Sequence, residues 1–290
     1  MSSSKHRDEA EKNRITASTL YLVATPIGNM SDISYRAVKV LSGVDFIAAE
    51  DTRNTARLLS ALDISKPMLS YHEHNKRSRG IEILERLRGG ESCALVSDAG
   101  TPAISDPGAE LVCECIDAGI CVTCVPGACA AITALTLSGM DTRRFVFEGF
   151  LAASGSERKK RLTELSSESR TVVIYEAPHK LRNTLADLRE FFGNRRIALC
   201  RELTKLNEDV FRADIEAALQ KYTDQEPRGE YVLVVEGASD DGSQSFWSEM
   251  SINEHIAFYI GQGMTKMDAI KKTARDRGVS KNEIYKETIR

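Results

Sequence analysis

The stretch ALVSDAGTPAISDPG, residues 94–108, joins a short apolar run to a loop of glycines, prolines and small hydroxyl residues. The apolar start predicts a buried strand. In the loop, glycine allows positive φ and close approach of the backbone, and proline fixes its own φ. Such a loop is stiff and presents backbone donors and acceptors. We expect a ligand to lie against it, because ligands of open α/β sheets bind at the carboxyl ends of strands.

Short apolar runs alternate with amphipathic segments of helical length on both sides of this stretch. The alternation is typical of βαβ units around a mainly parallel sheet. We expect strands at 19–24, 44–49, 67–71, 92–97 and 121–125, and helices at 33–42, 53–62, 78–89 and 106–118. A second block of similar pattern begins near Phe145 and contains the runs RFVFEGFL, RTVVIYEAP, RRIALCRELT and GEYVLVVEG.

The sequence therefore predicts an α/β protein with a helical appendage. The predicted parts are a polar lead at 1–18, α/β domains at 19–140 and 141–237, a linker at 238–250 and a basic helical extension at 251–290. The lead lacks the apolar region of a secretory signal, and no run of about eighteen apolar residues occurs in the chain. We expect a cytoplasmic protein without a membrane span.

The formal net charge of −3 hides an asymmetry. Residues 264–290 contain eight Lys or Arg and four Asp or Glu, a balance of +4, so the rest of the chain carries −7. A basic tail on an acidic body is compatible with a nucleic-acid partner, although a solvated helix face is the commoner meaning of such a run.

Common nucleotide-binding and metal-binding patterns are missing from the sequence. It contains no Gly-x-Gly-x-x-Gly fingerprint and no Gly-x-x-x-x-Gly-Lys-Ser/Thr loop, which argues against a dinucleotide-binding or P-loop enzyme. His72 and His74 flank Glu73, but no third ligand is apparent, and we predict no metal site. Seven cysteines, an odd number within apolar segments, indicate buried reduced thiols rather than disulfides.

The cluster Glu50-Asp51-Thr52-Arg53 lies at a predicted strand-to-helix junction and has two interpretations. In the structural one, Asp51 or Thr52 caps the helix. Glu50 then pairs with Arg53. In the functional one, Arg53 holds a phosphate and an acid helps to position or deprotonate a hydroxyl.

Two further acids lie in the opening stretch. Asp98 lies just after a predicted strand, where it either forms a turn or binds a ligand. Ser105 and Asp106 precede Pro107, and we expect one of them to cap the helix that follows, with proline in its first turn.

Eight ordered segments together resemble the ribosomal RNA small subunit methyltransferase I family, of tetrapyrrole-methylase fold. They are LYLVATPIGNMSDISYRA, FIAAEDTRNTARLL, ALVSDAGTPAISDPG, VPGACAAITAL, FEGFL, YEAPHKL, CRELTK and GEYVLVVEG. The resemblance runs from Thr19 to Gly237, and the tail KMDAIKKTARDRGVSKNEIYKETI is similar to that family's helical extension. Ala128 and Ala177 stand where many relatives have proline and serine, and neither change removes a group with obvious chemistry.

The resemblance implies two α/β domains of the class III methyltransferase type with a cofactor cleft between them. It implies transfer of a methyl group from S-adenosyl-L-methionine to the ribose 2′-hydroxyl of a cytidine in the decoding region of 16S ribosomal RNA. The implied partners are the small ribosomal subunit and a second copy of the chain in a homodimer. No metal is implied.

Roles for individual residues also follow from the resemblance. The implied cofactor contacts are Pro26, Gly28, Asp98, Ala99, Gly100, Thr101, Ser105, Asp106, Ala128, Tyr175, Glu202, Gly229 and Glu230. The candidates for orienting or deprotonating the hydroxyl are Glu50, Asp51 and Glu176. Cations with directional donors suit phosphate, and the candidates for phosphate or ribose contacts are Arg53, His179, Lys180 and Arg201.

Two other functions stay open at this point. An enzyme of the same fold can methylate a small tetrapyrrole, although the basic tail and the loops YEAPHK and AAEDTR favour RNA. A non-catalytic RNA-binding or ribosome-assembly protein can also keep the fold. Binding of S-adenosylmethionine separates that protein from an enzyme.

Overall fold

A computed structural model describes residues 14–238, 250–277 and 279–287. The chain divides into two compact units, Met1–Ala238 and Ser239–Arg290. Most of the predicted lead and most of the predicted linker lie outside the described residues.

The large unit begins with a five-stranded sheet. Its strands are β1 (Thr19–Val23), β2 (Phe46–Ala49), β3 (Met68–Ser70), β4 (Cys93–Val96) and β5 (Cys121–Val125). All are parallel, in the order β3-β2-β4-β1-β5. The connecting helices are α1 (Tyr35–Gly43), α2 (Thr52–Ala61), α3 (Lys76–Arg88) and α4 (Ala109–Asp117). The parallel sheet and its βαβ order are those that the sequence predicts.

Helices cover both faces of this sheet, as the apolar runs of its central strands require. β2 and β4 are buried at every residue, which is the pattern of parallel strands between two helical layers. Leu41 of α1 and Leu59 of α2 pack on one face. Ile83 of α3 and Leu111 of α4 pack on the other.

β5 is one of the two edge strands of this sheet, and its exposed cysteines correct the prediction that the cysteines are buried. All seven cysteines are described and are free thiols. Cys121 and Cys124 of β5 are nevertheless exposed, as is Cys113 of α4. An edge strand has a neighbour on one side only, so its apolar composition does not guarantee burial. By contrast, Cys115 is buried in the core, where burial raises the pKa of its thiol to about 11.

The second sheet has a different pattern of strand directions. Its strands are β6 (Phe145–Phe150), β7 (Thr171–Glu176), β8 (Arg196–Arg201), β9 (Asp209–Asp214) and β10 (Tyr231–Val235), in the order β6-β7-β10-β8-β9. β6 and β7 are parallel, and the other pairs are antiparallel. One face carries α6 (Gly155–Ser166), α7 (Leu181–Phe192) and α8 (Ile215–Asp224).

One helix joins the two sheets. α5 (Ala130–Ser138) follows β5 of the first sheet and packs on the face of the second sheet that α6, α7 and α8 leave open. Ala131, Ala134 and Leu135 of α5 share a core cluster with Val173 of β7 and Val234 of β10. The carboxyl edge of the first sheet therefore faces the second sheet.

The start of α4 corrects a second prediction. The N-cap of α4 is Gly108, whose φ is +144°, and no side chain caps the helix. Ser105 adopts a φ of +60°, and Asp106 lines a cavity instead. The expected capping of α4 by Ser105 or Asp106 is therefore wrong. The turn into the helix needs glycine because a Cβ at Gly108 would lie 2.8 Å from Cδ2 of Leu95.

The small unit consists of three short helices with their own core. They are α9 (Ile252–Gly261), α10 (Lys266–Asp276) and α11 (Lys281–Glu287). Ile256, Ile270 and Ile284, one from each helix, are buried together. A capping box of Ser251 and Glu254 starts α9. Across the described parts of both units, each helix is too short or too polar to cross a membrane.

Replacing Gly108 with alanine should destabilise the large unit. The added Cβ would clash with Leu95 at a φ that L residues rarely adopt. We expect a loss of about 3 kcal/mol, which combines backbone strain with overpacking. Thermal unfolding of Gly108→Ala against the parent chain measures it.

Gly119→Ala at the other end of α4 is the matched control. Its φ is +69°, and nothing lies within 4 Å of an added Cβ. It should lose about 1 kcal/mol from strain alone. Equal losses for the two variants would contradict the role given to packing at Gly108.

Candidate active site

A cavity of about 480 Å³ lies where the carboxyl edge of the first sheet faces the second sheet. Pockets of about 300–1,000 Å³ hold small organic ligands and cofactors. Nine residues that the sequence nominates line it: Ala99, Gly100, Thr101, Ser105, Asp106, Tyr175, Glu176, His179 and Glu230. The other nominated residues lie outside its lining: Pro26, Gly28, Glu50, Asp51, Arg53, Asp98, Ala128, Lys180, Arg201, Glu202 and Gly229.

Backbone pairing holds the floor of the cavity together. Thr25, after β1, and Gly100, after β4, exchange two main-chain hydrogen bonds of 2.8 and 3.0 Å. The Thr101 hydroxyl donates to the carbonyl of Ala128, after β5, at 3.1 Å. Gly100 has a φ of +83°, and a Cβ there would lie 3.3 Å from Cγ2 of Ile27. Hydrogen bonds thus connect the loops that follow three strands into one surface under the cavity.

Tyr175 forms an aromatic wall and also anchors α5. Its hydroxyl accepts a hydrogen bond from the N–H of Ala131, in the first turn of α5, at 3.1 Å. Its ring packs edge-to-face on Phe147 and Phe150, with centroids 5.0 and 5.5 Å away. Burial raises the pKa of Tyr175 to about 12, so the hydroxyl is protonated at neutral pH.

Lys205 connects the two sides of the cavity. Its ammonium group contacts the carboxylates of Glu202 at 2.9 Å and Glu230 at 2.8 Å. Its stem crosses Gly28, where an added Cβ would lie 2.4 Å from Cγ of Lys205. Gly229 has a φ of +79°, and a Cβ there would overlap the Glu202 side chain. Because they have no Cβ, Gly28 and Gly229 leave room for Lys205 and its partner Glu202, although neither glycine lines the cavity.

Asp106 is the acid of the cavity wall with the most perturbed protonation. Burial, the neighbouring charge of Glu50 and, to a smaller extent, that of Asp98 raise the pKa of Asp106 to about 6. A hydrogen bond from Ser97 opposes this rise. Burial also raises the pKa of Glu50, which accepts a long hydrogen bond of 3.4 Å from the N–H of Asp98. The two acids thus lie at the same edge of the sheet and influence each other.

Asp51 and Arg53 pair with each other. Two nitrogens of the Arg53 guanidinium donate to the Asp51 carboxylate at 3.1 and 2.6 Å, and Asp51 also accepts from the N–H of Arg53 as the N-cap of α2. The Arg53 side chain holds the pKa of Asp51 well below its usual range. The predicted helix cap is present, and Asp51 provides it. The expected pairing of Glu50 with Arg53 is wrong, because Arg53 pairs with Asp51 instead.

Asp98 contacts α2 rather than the cavity. One carboxylate oxygen accepts from the N–H of Asp51 at 3.2 Å, and the other accepts from Nδ2 of Asn54 at 3.1 Å. These bonds tie the loop after β4 to the start of α2. A direct cofactor contact of Asp98 stays a prediction.

Glu176 lies in the lining, but its carboxyl group points away from the open space. Side chains alternate along a strand, and Tyr175 already occupies the cavity side of β7. The two oxygens of Glu176 accept from the N–H of Ala177 at 2.8 Å and the hydroxyl of Thr184 at 2.5 Å. This arrangement supports the protein framework rather than proton transfer.

The sequence interpretation missed several lining residues, notably Ile27, Cys129, Phe150, Cys200, Leu203 and Lys205. Phe150 and Lys205 belong to the segments FEGFL and CRELTK, which follow or end strands. Their position at or shortly after the end of a strand was the available signal. Within the described ranges, no group of three or more His, Cys, Asp or Glu is arranged to hold a metal ion.

Comparison with known proteins identifies the family. The chain matches the family Tetrapyrrole (Corrin/Porphyrin) Methylases over residues 19–219. It is 47% identical over 269 residues to ribosomal RNA small subunit methyltransferase I of Bacillus subtilis (strain 168), with 92% of each chain covered. It is 44% identical over 279 residues to the protein of that name from Halalkalibacterium halodurans, with 96% of each chain covered.

The chain belongs to the ribosomal RNA small subunit methyltransferase I family. The resemblance that the sequence carries is thereby confirmed, and the chain is a methyltransferase. A further relative of that name, from Synechocystis sp., is 46% identical over 271 residues, which cover 93% of this chain and 97% of its own length.

Solved structures show the fold. The uroporphyrin-III-C-methyltransferase of Thermus thermophilus superposes with a TM-score of 0.55 at 20% identity, covering 76% of this chain and 94% of its own. A cobalt precorrin-4 methyltransferase superposes with a TM-score of 0.55 at 15% identity, covering 76% and 95%. The predicted tetrapyrrole-methylase fold is confirmed for this member of the ribosomal RNA small subunit methyltransferase I family.

Replacing Asp106 with asparagine should remove one source of pH-dependent stability. The carboxyl group has a pKa of about 6 in the folded protein and about 3.9 in an unfolded chain. Between these pH values the folded state binds a proton that the unfolded state lacks. The stability that protonated Asp106 contributes is therefore complete below about pH 4 and is lost as the pH rises through 6. Thermal unfolding at pH 5 and 7.5 should show a smaller loss of Tm for Asp106→Asn than for the parent chain.

Asp117→Asn, at an exposed aspartate on α4, is the control and should keep the parental difference between the two pH values. An unchanged difference for Asp106→Asn would contradict the protonation assigned to Asp106.

Proposed function

We propose that the protein transfers a methyl group from S-adenosylmethionine to the ribose 2′-hydroxyl of a cytidine in the decoding region of 16S ribosomal RNA, within the small ribosomal subunit. One observation carries the choice of RNA. The relatives named ribosomal RNA small subunit methyltransferase I align over up to 96% of this chain. The solved tetrapyrrole methyltransferases cover 76%. Alignment over 96% must include most of the small helical unit, which argues for a function that uses it.

The cavity suits S-adenosylmethionine in size and in the groups that it offers. Ala99, Gly100 and Ala130 keep side chains short along its floor, so a ligand can lie against the backbone. The bound cofactor would supply a methyl group already activated on a sulfonium. The faces of Tyr175 and Phe150 favour a cation, and the segment 99–106 would hold the methionine and ribose portions.

The protein's contribution to the reaction is first of all alignment. Methyl transfer needs the acceptor oxygen, the methyl carbon and the sulfur in line, and holding reactants in such a geometry supplies a large part of the acceleration. The paired loops at Thr25, Gly100 and Ala128 give a floor that does not have to reorganise. The donor would be fixed there, while the ribose approaches from the open side.

The acceptor hydroxyl also has to lose its proton. Asp51 is neutralised by Arg53, and the oxygens of Glu176 are already hydrogen-bonded. Glu50 and Asp106 remain, and burial raises the pKa of both toward a value useful for proton transfer. We assign the proton to this pair of acids, Glu50 and Asp106.

Contacts with the RNA are assigned to cations around the cavity. His179 lines it directly. Lys180 follows His179 in the chain, and Arg53 is exposed at the same edge of the first sheet as Glu50. Phosphate and ribose contacts fix the register of a nucleic acid, so these side chains would position the target nucleotide.

Methyl transfer to isolated subunits tests the proposed function. The protein would be incubated with methyl-labelled S-adenosylmethionine and small ribosomal subunits from a strain that lacks this enzyme. Ribose methylation would then be mapped by resistance to alkaline hydrolysis. We expect one newly protected cytidine in the decoding region. Label on a base or at another nucleotide would contradict the acceptor, and failure to bind the cofactor would contradict the proposed reaction.

The basic helices of the small unit should contribute to subunit binding. Lys266 starts α10 and Lys281 starts α11, and both are exposed. Replacing both with glutamine should weaken binding to the small ribosomal subunit by about tenfold at low salt and flatten its salt dependence, because fewer counterions are released. Filter binding over a salt series measures both effects.

The control removes the same charge elsewhere. Lys159 and Lys160 are exposed on α6, and their double glutamine variant should bind subunits like the parent chain. Both double variants should keep parental affinity for S-adenosylmethionine. Equal subunit binding by all three proteins would remove the RNA role given to the small unit.

A further inference from the structure

A network of buried polar side chains lies behind the second-sheet wall of the cavity. Glu176 ends β7, Arg158 lies on α6, and Thr184 and Asp187 lie on α7. Glu176, Arg158 and Thr184 are only 4%, 7% and 0% exposed. Burying such groups costs free energy unless every donor and acceptor finds a partner, so the identity of these partners indicates what the network does.

The hydrogen bonds run through the network in one direction. Nε of Arg158 contacts Oδ2 of Asp187 at 2.7 Å. Nη2 of Arg158 donates to the Thr184 hydroxyl at 2.8 Å. That hydroxyl donates in turn to Oε2 of Glu176 at 2.5 Å. A threonine hydroxyl carries one proton, and an arginine can only donate. The hydrogen bonds therefore run from Arg158 through Thr184 to Glu176, and we call these three residues the relay.

Arg158 and Glu176 each form a hydrogen bond with main chain beside the cavity. Nη1 of Arg158 donates to the carbonyl of Ala152, in the segment from β6 to α6, at 2.9 Å. Oε1 of Glu176 accepts from the N–H of Ala177 at 2.8 Å. The cavity-lining residues next to these two points are Phe150, Ala177, Pro178 and His179.

We propose that Thr184 is a positioning residue of the active site. Thr184 does not line the cavity. It acts through Glu176, whose carboxyl group holds the start of the segment 177–179. A side chain of the same shape without the hydroxyl would leave Nη2 of Arg158 and Oε2 of Glu176 buried without their present partner. The segment 177–179 would then shift, and the wall of the cavity with it.

A purely structural role predicts something different. In that case loss of the hydroxyl lowers stability but leaves the cavity wall as it was in every molecule that remains folded. Leu185, the next residue of α7, is fully buried in the core on the same side of the sheet and makes a suitable reference. Leu185→Ala destabilises by opening a cavity in the core, and it leaves the polar network intact.

Calorimetric titration with S-adenosylmethionine tests the positioning role on the full chain. Thr184→Val should raise the Kd by about tenfold, the equivalent of one buried hydrogen bond lost from the support of the wall. Thr184→Ser, which keeps the hydroxyl, should bind like the parent. Leu185→Ala should also bind like the parent despite a lower Tm. Parental affinity of Thr184→Val, or equal weakening by Leu185→Ala, would overturn the proposal.

Hydrogen exchange at the amide of Ala177 gives a readout that needs no ligand. It should be faster in Thr184→Val than in Leu185→Ala, and parental in Thr184→Ser. The inference rests on the proposed function only for its choice of S-adenosylmethionine as probe. A parent chain that fails to bind this probe would contradict the proposed function, and exchange at Ala177 would still decide the role of Thr184.

Asp187→Asn covers the case in which Thr184→Val does not fold. Asp187 is partly exposed, at 31% of its side chain, and asparagine keeps its shape. Loss of the Asp187 charge weakens its ion pair with Arg158, the first residue of the relay. Faster exchange at Ala177 in Asp187→Asn would support the relay, and parental exchange would overturn it.

Discussion

The packing of α5 on the second sheet fixes the position of one sheet relative to the other and so shapes the cavity between them. α5 leaves the last strand of the first sheet and buries Ala131, Ala134 and Leu135 against strands of the second. Short alanine side chains let the helix lie close to the sheet. The hydrogen bond from the N–H of Ala131 to the Tyr175 hydroxyl fixes the start of the helix. Because of this joint, the loops at the carboxyl edge of one sheet face the other sheet across a cavity.

The two walls of that cavity are built differently. On the first sheet, backbone pairs with backbone, and glycine at position 100 lets two loops come together without side chains between them. On the second sheet, contacts between side chains form the wall. Tyr175 packs on Phe150, Lys205 holds Glu202 and Glu230, and a buried polar network lies behind the wall. The proposed donor, S-adenosylmethionine, would lie between this backbone floor and the aromatic, charged wall.

Periodicity and strand-end composition could predict the parallel sheet, its helices and the loop at 97–108. They did not predict β9, because half of the residues of DVFRAD are charged and its two large apolar residues are adjacent, so neither an apolar run nor a strict alternation indicates a strand. They also favoured a cap at Ser105 or Asp106, since local signals say nothing of Leu95, which admits only glycine at the helix start.

Long-range contacts set the limits of prediction at the site. Lys205 was missed because its importance comes from Gly28, far away in the sequence, over which its stem lies. Glu176 lies at the end of a strand, but strand alternation turns it toward Thr184 and away from the cavity. Composition identifies a strand end as important, whereas only the fold shows which side chain faces the ligand.

Photo-crosslinking of S-adenosylmethionine shows whether a single cofactor site is built from both sheets. The labelled cofactor would be irradiated with the protein, and the labelled peptides would be mapped by mass spectrometry. We expect label within 99–106 and within 175–179, and its loss when excess unlabelled cofactor competes. Label confined to one sheet, or placed in the small helical unit, would show that the cofactor site is not built from both sheets.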